Sequence, residues 1–105
     1  MTVVCALSDL LPDRGAAALL PSGEQVALFR TGAGEVFALS NIDPFSRAAV
    51  LSRGIVGDLD GVPVVASPMH KQHFDLRTGT CVEDRAVSVR VYRVRVEAGQ
   101  VVVAA

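Results

Sequence analysis

His70, His73 and Asp75 lie close together in M-H-K-Q-H-F-D, at Met69–Asp75. Imidazole and carboxylate are zinc ligands, but structural zinc uses four and catalytic zinc three, each oriented by a further hydrogen bond. On an extended strand residues 70 and 73 face opposite sides, so only a tight turn would bring both rings to one ion. A surface or hydrogen-bonding role is the expectation for both, ahead of partner contact and metal binding. Asp43, in N-I-D-P-F, could act as a general acid or base, yet the sequence sets no second carboxylate or imidazole beside it. An Asp preceding Pro more simply caps its loop by accepting backbone N–H bonds. Cys5 and Cys81 are far apart and form no C-x-x-C pair. Packing as small apolar side chains in a reducing compartment is expected, with a disulfide or a reactive thiol as lesser readings.

These residues sit in a chain of 105 residues, 50% hydrophobic and 20% charged, with net charge -1. One domain is expected, exposing roughly 5,600 Å² when folded against about 16,000 Å² unfolded, enough for a core without staples. The missing cationic surplus argues against a general nucleic-acid binder, and a single Tyr with no Trp leaves little for base stacking. No apolar run approaches a membrane span. Met1–Asp9 has no basic n-region, so no secretory signal is expected and the location is expected to be cytoplasmic. Arg85, Arg90, Arg93 and Arg95 make the last third locally basic; a solvated strand face is the simplest reading, an acidic partner the next.

The pattern is nearly all β, in short strands separated by Gly-bearing turns. Thr2–Leu7 and Ala16–Leu20 read as strands, with a single helical turn at Ser8–Pro12 capped by Ser8 or Asp9. Hairpins are predicted around Thr31–Gly34, Asp60-Gly61, Arg77–Gly79 and Ala98-Gly99, the Asp-Gly pair being the strongest signal. Their strands are Gln25–Thr31 with Glu35–Asn41, Val56–Leu59 with Val62–Ala66, Phe74–Leu76 with Thr80–Val82, and Val87–Glu97 with Gln100–Ala104. Arg47–Ser52 is Ala-rich and reads as one helical turn. Within Val87–Glu97 the apolar parity slips: Val87, Val89 and Val91 are odd, whereas Tyr92, Val94 and Val96 are even. One register cannot bury both sets on one face, so the strand either bulges near Val91–Arg93 or passes from one sheet to another.

Two segments, V-F-A-L-S-N-I-D-P-F at Val36–Phe45 and V-V-A-S-P-M-H-K-Q-H-F-D at Val64–Asp75, resemble the cluster loops of a Rieske-type domain. Such a domain holds its [2Fe–2S] centre with one Cys/His pair on each of two loops, N-x-C-P-H and C-P-x-H. Asp43 stands at the first Cys position, Phe45 at the first His, and Ser67 at the second Cys; His70 alone keeps its type. A carboxylate, a phenyl ring and a hydroxyl cannot hold the cluster. Pro44 and Pro68 follow the vacated positions and stiffen each loop. Together with L-S-R-G-I-V-G-D and V-S-V-R-V-Y-R-V-R-V-E-A-G-Q-V-V-V, these segments resemble the small subunits of assimilatory NAD(P)H-dependent nitrite reductases over nearly the whole chain.

That resemblance implies an all-β, Rieske-like stack of small antiparallel sheets, barrel-like, with one or two short helical turns. It implies no cofactor in this chain, and a partner large subunit that carries FAD, an iron–sulfur cluster and sirohaem and reduces nitrite to ammonia. The chain is then an accessory subunit, not catalytic alone. Asp43, Pro44, Phe45, Ser67, Pro68, Met69 and His70 mark the vacated cluster end and the expected docking loops. Phe45 would either fill the cluster's volume or lie exposed as an anchor. A Rieske ferredoxin of an aromatic-ring dioxygenase and a free-standing β binding or regulatory domain are the competing readings.

Overall fold

The computed structural model describes Met1–Ala104, and its regular structure is antiparallel strand apart from two short 3-10 turns. In chain order these are β1 (Thr2–Ala6), β2 (Arg14–Leu19), β3 (Gln25–Arg30), β4 (Val36–Ser40), β5 (Ile55–Leu59), β6 (Val62–Ala66), β7 (His73–Asp75), β8 (Val91–Glu97) and β9 (Gln100–Ala104). A six-stranded sheet has the order β1-β9-β8-β4-β3-β2, and a three-stranded sheet the order β5-β6-β7. The expected stack is thus one large curled sheet facing one small one, in the Rieske-like arrangement. The exposed area, 5768 Å², lies close to that expected for a chain of this mass. Among the described residues no helix is long and apolar enough to cross a membrane.

Period-two alternation explains the core. In β3, Val26 and Leu28 face one cluster with Leu10, Leu20, Ala38, Tyr92, Val101 and Val103, inside the curl of the large sheet. Ala27 and Phe29 face the other, with Leu39, Leu51, Val65, Phe74, Leu76, Cys81 and Val89, between the two sheets. Because β3 is apolar on both faces, it can only be a central strand. The parity slip has the same cause. Val89 packs between the sheets and Tyr92 inside the curl, so the chain passes from one layer to the other between them. Regular pairing starts only at Val91, where β8 meets β4 through Leu39↔Val91 and Ala38↔Tyr92 and then β9 from Arg93 onward. Of the two alternatives, the change of sheet is the one adopted.

Two expectations are corrected. The first helical turn is a 3-10 turn at Leu7–Asp9 preceded by Ala6, and neither Ser8 nor Asp9 is its N-cap. Asp9 instead reaches back to accept the Ala6 N–H at 3.3 Å. The second 3-10 turn is Leu51–Arg53, so the Ala-rich run before it is not helical. Those residues bridge back to the loop through Ile42↔Ala49, a pairing that local propensity does not reveal. Both cysteines are free: Cys81 is core, and the half-buried Cys5 thiol is pushed up by burial and by the Asp9 carboxylate.

Candidate functional site: two loops without iron ligands

β4 and β6 run in the same sense out of their hairpins, and each ends in a proline-bearing loop. The two loops share one bonding pattern. In the first, the Arg47 N–H donates to Asp43 O at 2.7 Å and the Asp43 N–H to Ala48 O at 2.9 Å. In the second, the Lys71 N–H donates to Ser67 O at 3.0 Å and the Ser67 N–H to Gln72 O at 2.9 Å. The side chain opening each loop accepts the amide two residues on: Phe45 N–H to Asp43 Oδ1 at 2.8 Å, and Met69 N–H to Ser67 Oγ at 3.2 Å. Arg47 and Lys71 then occupy the left-handed region, each with φ 62°.

The loops meet at their first residues. The Ser67 hydroxyl donates to Asp43 Oδ2, and both residues are buried, at 1% and 0% exposure. Asp43 Oδ1 also accepts the Ser46 N–H at 3.4 Å, so its carboxylate caps the first loop as expected while clamping the second. The resemblance to cluster loops sets these two residues at the positions expected for thiolates. Here a direct side-chain bond spans the same junction. The donor set does not suit a [2Fe–2S] centre: two oxygens already committed to each other, a phenyl ring and one imidazole.

Phe45 is packed on one side and exposed on the other. One side tilts against the core ring of Phe74, centroids 6.2 Å apart, while 37% of the residue stays exposed. Met69 is 49% exposed and Ile42 39%; Pro68 and His70 are exposed, and Pro44 is half-buried. Asp43 and Ser67 are too deep to touch a partner, so an outer protein would meet Phe45, Pro68, Met69 and His70. His73 does not converge with His70: its ring Nδ1 lies 2.5 Å from Glu83 Oε2, and its N–H donates to Glu83 Oε1 at 2.7 Å. Burial pushes the Glu83 carboxyl up, but the bonds from His73 outweigh it and leave Glu83 below its ordinary value.

Asn41 is a site residue that the motif reading left at the end of a strand. It is 2% exposed, accepts the Ser52 N–H at 2.7 Å through Oδ1, and donates through Nδ2 to Gln25 Oε1 at 3.2 Å. It therefore pins the first loop to β3 and to the second 3-10 turn. A buried Asn two residues before the ligand position is the available signal, since such a polar group must be satisfied by the fold. Next to it, Glu24 accepts from Arg90 at 2.6 Å and from Tyr92 at 2.7 Å, and the Arg90 guanidinium lies 4.6 Å from the Tyr92 ring centroid. Of the strand arginines, Arg90 and Arg95 are thus held by internal carboxylates, the latter by Glu97 at 2.6 Å.

Residues 1–104 match a family profile described as a Rieske-like [2Fe-2S] domain. The chain is 50% identical over 99 residues to the nitrite reductase (NADH) small subunit of Salmonella typhimurium, spanning 93% of this chain and 91% of that protein. It is 42% identical over 98 residues to a nitrite reductase [NAD(P)H] large subunit from Klebsiella oxytoca, a match that takes in 93% of this chain but only 10% of that protein. Among solved structures, one described as an NADH-dependent nitrite reductase small subunit from Mycobacterium tuberculosis superposes with TM-score 0.94 at 52% identity, covering 97% of this chain and 91% of that one. The ferredoxin of carbazole 1,9a-dioxygenase from Nocardioides aromaticivorans superposes with TM-score 0.85 at 29% identity, covering 98% and 95%. The ferredoxin likeness is one of frame, because this chain lacks the ferredoxin-type donor set at Asp43, Phe45 and Ser67. The chain belongs to the Rieske-like domain family and, within it, to the small subunits of NADH nitrite reductase.

Proposed function

We propose that this chain is a non-catalytic, cytoplasmic subunit that docks onto the nitrite reductase large subunit through its vacated cluster end. The observation that carries this reading is the Asp43–Ser67 bond, which keeps two former ligand loops in matched geometry without a metal to hold them. Loops stabilised in this way present Phe45, Pro68 and Met69 outward on a fixed base, and such preorganised apolar residues suit a protein contact. The match to a tenth of a Klebsiella large subunit supports the same partnership, since there a domain of this kind lies within the large chain itself.

In this reading FAD, sirohaem and an iron–sulfur cluster reside on the large subunit, which carries electrons from the nicotinamide to nitrite and forms ammonia. The small chain contributes no redox group and acts by binding. Calorimetric titration of the chain into the purified large subunit tests the docking face. Phe45→Ala and Met69→Ala are expected to weaken binding together by about 2–4 kcal/mol, the range of interface anchors. Unchanged affinity in the doubly substituted protein would remove Phe45 and Met69 as the anchors of the interface.

A further inference from the structure

Charge is unevenly placed along this molecule. β3 and β4 are joined at Thr31–Gly34, and β5 and β6 at Asp60-Gly61, so both hairpin turns lie at the end remote from the two loops. That remote end carries carboxylates together with Arg14, Arg30 and Arg77. Asp13 accepts the Gly32 N–H at 3.0 Å, Asp58 accepts the Gly61 N–H at 2.6 Å, Asp60 is exposed, and Glu35 is 3.9 Å from Arg77. At the loop end two cations stand without a carboxylate partner among the described residues. Asp43 is buried, Glu24 is paired with Arg90, and Glu83 with His73, whereas Arg47 and Lys71 are exposed and form no ion pair among the described residues.

The backbone beneath those two cations adds a second observation. Left-handed φ is unstrained for Gly but unfavourable for a residue that carries a Cβ. The other non-Gly residues with positive φ are Asp13, Asp60 and Ala98, each a short side chain in a turn. Arg47 and Lys71, at corresponding positions of the matched loops, retain long cationic side chains where Gly would sit more easily. Folding alone does not call for them.

Building on the docking reading above, we infer that the surface receiving the loop end is an acidic rim around an apolar seat on the large subunit. Arg47 and Lys71 flank the apolar contact made by Phe45 and Met69 and steer it into place. Complementary charge of this kind acts mainly on the association rate and is screened by salt, whereas apolar anchors act mainly on dissociation.

Stopped-flow or biosensor kinetics with the purified, cofactor-loaded large subunit test the inference. The Arg47→Glu/Lys71→Glu protein is expected to associate about tenfold or more slowly at low ionic strength, with the difference vanishing near 1 M salt, where the screening length is about 3 Å. Arg47→Gly/Lys71→Gly removes the charge while relieving the backbone, so a slowed association in this variant cannot be blamed on misfolding. Normal association of both variants at low salt, with binding still weakened by Phe45→Ala, would overturn the acidic rim and leave the docking reading standing. Slowed association in the charge variants, with Phe45→Ala and Met69→Ala binding normally, would support the rim and overturn the apolar anchors. If neither set changes binding, both conclusions fall.

Discussion

Asp43 and Ser67 join the two loops through a buried side-chain hydrogen bond. A buried carboxylate must be hydrogen-bonded to be tolerated, and Asp43 finds its partners in two backbone amides of its own loop and the hydroxyl of the facing one. Ser67→Ala removes that hydroxyl and leaves the Met69 N–H without its acceptor. A loss of about 2–3 kcal/mol in urea unfolding is expected, as for a bond to a buried charge. Asp43→Ala is expected to cost more, since it orphans every donor at the junction, and Asp43→Asn less, since one oxygen still accepts. A second prediction concerns Glu24. Bonds from Tyr92 and Ser22, with the Arg90 charge, hold its carboxyl below the ordinary value. Its stabilising contribution is present above pH about 4.5 and is lost as pH falls through the depressed native value. Burial and the Glu24 carboxylate raise the Tyr92 hydroxyl, so its contribution is present below pH about 10 and lost as pH rises through the raised value. Glu24→Gln should therefore flatten the acid limb of a melting-temperature profile, and an unchanged limb would contradict the assignment.

The connections between strands show where local chemistry decides the fold and where it does not. Asp60-Gly61 and Ala98-Gly99 both close their hairpins with left-handed residues at each position, as the paired φ > 0 of a tight hairpin requires, and so the turns are legible from composition. The parity slip at Val91-Tyr92 is likewise legible, because period-two burial cannot be satisfied any other way. The path of Arg47–Val50 is not legible. Its Ala-rich run suits a helix, but the chain is captured by the Asp43 N–H to Ala48 O bond and the bridge to Ile42, both set by the loop and not by local propensity. The pairing of the two loops is legible from the proline after Asp43 and after Ser67, but the side-chain bond between them is not, since nothing local sets those two residues against each other. Gly79 shows how tight one such connection is. It has φ 78°, and an added Cβ would lie 2.3 Å from Val89 O. Gly79→Ala is expected to destabilise by about 2–4 kcal/mol, from the left-handed backbone and the overlap together. By contrast Arg47→Gly and Lys71→Gly should leave stability unchanged or raise it by up to about 1 kcal/mol each, read by the same urea titration.

The molecule as a whole keeps a Rieske-like frame and lacks the chemistry that such a frame ordinarily holds. The six-stranded and three-stranded sheets bring β4 and β6 out at one end, their loops are cross-linked by side chains, and the interior below is closed by Phe74 and Phe45. If the frame is intact, restoring the missing ligands should restore uptake. The Asp43→Cys/Phe45→His/Ser67→Cys protein, which retains His70, supplies two thiolates and two imidazoles. It is expected to take up iron and sulfide on reconstitution, and failure to do so would show that the loops have drifted from cluster spacing. The most direct measurement needs no substitution: iron and acid-labile sulfide, assayed with a visible absorption spectrum, on the unaltered chain purified under anaerobic conditions. The account predicts a colourless protein with neither element in stoichiometric amount. A reddish-brown protein holding two irons and two sulfides per chain would contradict it.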